Sequence, residues 1–116
     1  MGKHSDREAK TLQSPLRLIP CRIEPGMFRD EFLVYLDVVD PRNPNQSMTV
    51  QLLVDQREVT NIRGTPKRNQ PAEALLRVSF ARKENGLVQV VLPQPPNLGS
   101  ENILVEESRV RLDAGA

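Results

Sequence analysis

The sequence predicts an all-β domain, either a small antiparallel β-sandwich or a partly open β-barrel of about six to seven short strands. Three observations carry that reading. From Leu16 onward, apolar residues recur with a period near two in one short segment after another, and no stretch sustains a helical period of 3.6 over three turns. Ten prolines among 116 residues fall mostly between the apolar runs, which suits many short elements rather than a few long helices. Three Phe, one Tyr and no Trp leave the core to Val, Leu and Ile.

In chain order, residues 1–14 are polar and without periodicity, and are expected to form a flexible tail ahead of a single β domain over 15–113. The first strand, LRLIPCRIE, puts Ile19, Cys21 and Ile23 on one face. Pro20 has no backbone donor, so this strand is expected at an edge, or interrupted there. Glu24-Pro25-Gly26-Met27 reads as a turn. In EFLVYLDVVD, Phe32, Val34, Leu36 and Val38 share a face, while Leu33, Tyr35 and Val39 make the other face apolar too, as in a central strand. The turn formers of DPRNPNQS, Asp40 to Ser47, predict a loop. MTVQLLVD then alternates, with Met48, Val50, Leu52 and Val54 inward, and pairs antiparallel with the strand before it. REVTNI is a shorter fourth run, and QPAEALLR at 70–77 could form one helical turn.

ALLRVSFARKENGLVQVVLP is the strongest hairpin signal. A two-residue Asn85-Gly86 turn would pair Phe80 with Val91 and put the two apolar sets on opposite faces. A three-residue Glu84-Asn85-Gly86 loop pairs Phe80 with Val90 and Val78 with Leu92, keeping both sets on one face, and is the expectation here. PQPP at 93–96 is extended and stiff, close to polyproline II. A last strand carries Ile103 and Val105, then Val110 and Leu112.

Composition bounds function mainly by exclusion. A net charge of +1 provides no long-range steering toward nucleic acid or an anionic membrane, so any such binding must come from a local patch. The single cysteine, Cys21, forbids an intramolecular disulfide and reads as a small buried hydrophobe. With no apolar leader in the N-terminal residues, a cytoplasmic setting is the simplest expectation. The only histidine, His4, falls in the tail, which removes Ser–His, Cys–His and multi-histidine metal constellations. The glycines are too scattered to cradle phosphate, and the Asp40 loop puts Arg42 and Pro44 where a calcium loop needs oxygen ligands. No catalytic constellation, metal site or cofactor signature is found, so the chain is expected not to be an enzyme. Asp37, alone in an apolar strand, is expected to face water on a half-exposed sheet.

What remains is binding. The chain is expected to act as an interaction module, through protein–protein contacts or self-association at exposed strand edges. The alternative is a small β-barrel that binds nucleic acid with the basic 62–71 loop and the hairpin cations, with Tyr35 and Phe28 as stacking platforms. The candidate binding patch for that alternative is Arg63, Lys67, Arg68, Arg77, Arg82 and Lys83. It exists only if loop and hairpin cations lie on one side.

Overall fold

The computed structural model describes residues 16–97 and 100–112. The predicted tail over 1–14 therefore lies outside the described residues, as do the outermost positions of the predicted 15–113 domain. Among the described residues, eight strands follow in chain order: β1 Leu16–Pro25, β2 Glu31–Asp40, β3 Asn43–Asp55, β4 Val59–Arg63, β5 Ala72–Glu84, β6 Leu87–Val91, β7 Asn102–Glu106 and β8 Arg111–Leu112. Single 3₁₀ turns at Gln56–Glu58 and Glu107–Arg109 separate β3 from β4 and β7 from β8. All the pairs are antiparallel, in the order β3-β2-β1-β5-β6-β7, with β4 beside β5 and β8 beside β1. The sheet curls into a half-barrel, and the all-β class read from the sequence is the class observed.

Strand β1 is the centre of this arrangement. One edge pairs with β5 from Leu16 to Ile23. The other edge pairs first with β8, at Arg17 and Leu18, and then with β2, from Arg22 to Pro25. The change of partner spans Ile19 to Cys21 and so contains Pro20. A proline there leaves no N–H to be satisfied in the gap. The interruption expected at Pro20 thus falls on one ladder only, and the strand is not at an edge.

Inside the curl, Ile19, Ile23, Leu36, Leu52, Leu76 and Val90 are at most 2% exposed. Leu76 is bracketed by Ile19 on β1 and Val59 on β4. Phe32 and Phe80 pack at the margin of this aliphatic core, and the Arg17 guanidinium sits 5.0 Å from the centre of the Phe80 ring. Strand β2 lies between β1 and β3, the central position its two apolar faces required.

Four local expectations are corrected. Asp40–Ser47 is not a loop: β3 already begins at Asn43, after a tight Pro41-Arg42 connection in which Asp40 Oδ1 accepts from the Arg42 amide at 2.9 Å. Residues 43–49 form an exposed ribbon with no face to bury, and Met48, expected inward at the start of the alternation, is 39% exposed. Residues 72–77 are strand rather than helical turn; Leu75 and Leu76 are both buried, on opposite faces of β5, and the resulting apolar doublet mimics a helical pattern. The last strand is two strands, β7 paired with β6 and β8 with β1, with Val110 between them packed on the core.

The fourth correction concerns the β5–β6 hairpin. Phe80 does pair with Val90, as face parity required, but the turn is the two-residue Asn85-Gly86 type. Both residues have positive φ, 53° and 78°, which Asn and Gly tolerate. The extra residue lies upstream, as a bulge at Ala81 between Phe80 and Arg82. The favoured turn and the buried face are thereby both satisfied.

The stiff Pro93–Pro96 segment is docked rather than free. Pro96 is buried, and the Asn97 amide donates to the Gln51 carbonyl on the outer edge of β3 at 2.8 Å. An otherwise open strand edge is covered at that point.

Candidate functional site

Five of the six predicted patch residues divide between the two ends of β5, and Arg77 lies midway along it. Arg63 closes β4 opposite Glu73, and Lys67 and Arg68 belong to the tight turn Lys67–Gln70 beside it. The Asn69 amide donates to Glu24 Oε1 at 3.3 Å, which ties that turn to the end of β1. Arg82 and Lys83 stand near the β5–β6 turn; from Glu73 to Arg82 the chain runs nine residues, or roughly 30 Å of strand. Arg82 shares the outer face with Gln89, whereas Lys83 lies on the face of Val88. Both have acidic neighbours, with Lys83 Nζ 2.9 Å from Glu107 and Arg82 3.9 Å from Glu84. Arg77 is used structurally: its Nη1 donates to the Arg57 carbonyl at 2.6 Å and braces the 3₁₀ turn 56–58. Arg63 and Arg82 thus share the outer face but stand far apart along β5, with Arg77 between them.

Two other surfaces emerge. The first is the β1–β2 turn, where Met27 is 79% exposed and Phe28 67%. This turn is held tightly. The Gly26 amide donates to the Glu31 carbonyl at 3.0 Å, the Glu31 amide to the Phe28 carbonyl at 3.2 Å, and the Gln56 amide to the Asp30 carbonyl at 2.8 Å. The 3₁₀ turn so tethered is capped in turn by Asp55, whose Oδ1 accepts from the Arg57 amide at 2.8 Å. Two large apolar side chains are thus fixed toward solvent by their backbone.

The second surface is the outer face of β1, opposite the core. Its floor is Pro20 with Leu75, and around it stand Asn61, Arg63, Glu73 and Arg111 in a cleft of about 250 Å³. A smaller cleft of about 90 Å³ adjoins it, sharing Pro20, Cys21 and Glu73 and bordered by Arg22, Tyr35, Asp37 and Arg109. Each residue arrives for a local reason. A bulge in β4 after Thr60, where Asn61 has φ 54°, turns Arg63 opposite Glu73. β8 brings Arg111 beside Leu18, and the 3₁₀ turn before it ends on Arg109. Cys21 is 6% exposed, as expected of a small hydrophobe, and burial pushes its thiol up to about 12. Modification of Cys21 by a thiol reagent near neutral pH is accordingly expected to proceed only as fast as the chain unfolds, against seconds to minutes for the denatured protein.

Asp37 faces outward, its side chain 31% exposed. It accepts from Arg22 Nη1 and Nη2 at 3.1 and 3.3 Å and from the Thr49 hydroxyl at 2.9 Å. These hydrogen bonds, Arg22 first, hold its carboxyl below the usual range. The unfolded carboxyl takes up a proton more readily, so this contribution is complete above the unfolded value of about 3.9 and lost as pH falls through the lower folded value. Asp37→Asn is expected to cost about 1 kcal/mol at neutral pH, with the gap from wild type closing in acid, as read from urea midpoints at the two pH values.

No protein-family model, curated protein or solved structure matches the chain. Among the described residues, no three His, Cys, Asp or Glu side chains gather as a metal-holding group, and no helix is long and apolar enough to cross a membrane.

Reasoning from sequence missed Arg22, Arg109 and Arg111 as members of a site. Their proximity comes from β8 pairing with β1 just before Pro20, a contact between chain ends that no local pattern announces.

Proposed function

We propose that the chain is a non-catalytic interaction module that engages a protein, a second copy of itself included, through the turn bearing Met27 and Phe28. The observation that carries this is the exposure of those two side chains on a backbone that cannot withdraw them. Large apolar and aromatic residues held in place at a surface are the residues that anchor protein interfaces, since their ordering entropy is already spent. For the fold we adopt the partly open barrel over the sandwich, because β7 returns against β2 on the far side of the core. A reducing, cytoplasmic setting suits the one buried thiol.

The test compares wild-type bait with a Met27→Ser, Phe28→Ser variant in extract of the source cells. A protein retained by wild type and lost from the variant, at unchanged melting temperature, is the expected result; an identical retained set contradicts the proposal.

Nucleic-acid binding is the second reading, favoured by one observation: Phe28, a stacking platform, lies at the same end of β1 as Lys67 and Arg68. It requires affinity for oligonucleotides that falls steeply with salt and drops in Lys67→Gln, Arg68→Gln. No binding at low salt eliminates it.

A further inference from the structure

The arginines around Pro20 are out of balance with their acids. Four guanidiniums, Arg22, Arg63, Arg109 and Arg111, border the joined clefts against two carboxylates, Asp37 and Glu73. Arg22 is committed to Asp37 through two hydrogen bonds. Among the described residues, Arg63, Arg109 and Arg111 hold no ion pair within 4.0 Å. The arrangement is also non-local, drawn from β4, β8 and the turn before β8, and held over a preformed hollow rather than scattered along a loop.

Two uncompensated positive charges over a concave floor match a compact dianion. A guanidinium presents a planar fork that meets phosphate oxygens with paired hydrogen bonds. Phosphate monoesters carry nearly two charges at neutral pH, whereas a carboxylate carries one. Leu75 and Pro20 offer an apolar floor for a short carbon skeleton, and Asn61 and Glu73 offer an acceptor each for a hydroxyl or amine on it. We propose that this outer-face cleft binds a small phosphate monoester, with Arg63 and Arg111 on the phosphate and Arg109 supplying further positive charge from the adjoining cleft. This site is separate from the Met27–Phe28 turn and does not depend on it.

The experiment titrates the full chain with glycerol 3-phosphate while following arginine side-chain N–H resonances. Inorganic phosphate, glycerol, acetate and a short single-stranded oligonucleotide serve as comparison probes. Saturable shifts at Arg63 and Arg111 are expected, at least about tenfold weaker in Arg63→Gln or Arg111→Gln and unchanged in Lys67→Gln and Phe28→Ser. Affinity should fall below about pH 6, where the ester takes up a proton and loses one of its two charges. Absence of saturable shifts, an equal response to acetate, or equal weakening in Lys67→Gln would overturn the proposal. Equal affinity for inorganic phosphate would overturn the ester assignment. Tighter binding of the oligonucleotide through the same arginines would overturn the small-molecule assignment in favour of a nucleic-acid backbone.

Discussion

Leu76→Ala is expected to lower the free energy of unfolding by about 3 kcal/mol. Leu76 has no exposed surface and is flanked on both edges of β5, by Ile19 on β1 and by Val59 on β4. Truncation removes the transfer free energy of the buried methyls and opens a void that three strands, fixed by their ladders, cannot close. Leu112→Ala provides the control: Leu112 is 72% exposed on the two-residue β8, and its loss is expected to change stability by no more than about 0.5 kcal/mol. Urea denaturation of both variants decides the matter. Similar midpoints for the two would contradict the placement of the core inside the curl.

Gly26→Val is expected to cost about 2 kcal/mol or more, through crowding rather than backbone conformation. A Cβ at Gly26 would stand 2.8 Å from Glu31 Cβ and 2.9 Å from the Glu31 carbonyl oxygen. To relieve that contact the turn must open, and the Gly26 amide must leave its 3.0 Å hydrogen bond to the same oxygen. Gly86 is the contrasting case. Its φ is +78° and a Cβ would meet nothing within 4 Å, so Gly86→Ala is expected to cost only about 1 kcal/mol, the conformational term alone. Because Gly26 sets the frame that presents Met27 and Phe28, its replacement is also expected to abolish partner capture, while Gly86→Ala leaves it intact. Thermal unfolding and the bait comparison, run on both variants, separate these outcomes.

The fold was legible where a strand has one buried face. Val34, Leu36 and Val38 on β2, and Val50, Leu52 and Val54 on β3, alternate because a pleated strand must offer every second side chain to the core. Their pairing, Leu36 with Val50 and Val34 with Leu52, follows from matching those faces. Legibility failed where burial is one-sided in neither sense. Residues 43–47 bury no face and gave no period, Met48 extended the period of β3 one step too far, and Leu75 and Leu76 bury both faces and gave a misleading one. In the β5–β6 hairpin, turn chemistry and face parity disagreed; the bulge at Ala81 resolves them, and an alanine carries no signal for a bulge.

The surfaces were less legible still. Reading along the chain joined Arg63, Lys67 and Arg68 to Arg77, Arg82 and Lys83 because they are near in sequence. The sheet separates them along β5 and instead gathers Arg63 with Arg22, Arg109 and Arg111, whose proximity depends on which strands flank β1. Met27 fell in a recognisable Pro-Gly turn, but the backbone bonds that hold it and Phe28 outward link residues 26, 31, 30 and 56, and no local pattern announces the last of these.

An interface at the Met27–Phe28 turn should be captured by a photo-crosslinking amino acid at position 28 and, separately, missed by one at the exposed position 42, both in source cells. A discrete adduct with one protein, or with a second copy of this chain, is expected from position 28 and none from position 42. Indistinguishable adducts from the two positions, or no adduct from position 28, would contradict an interface at this turn.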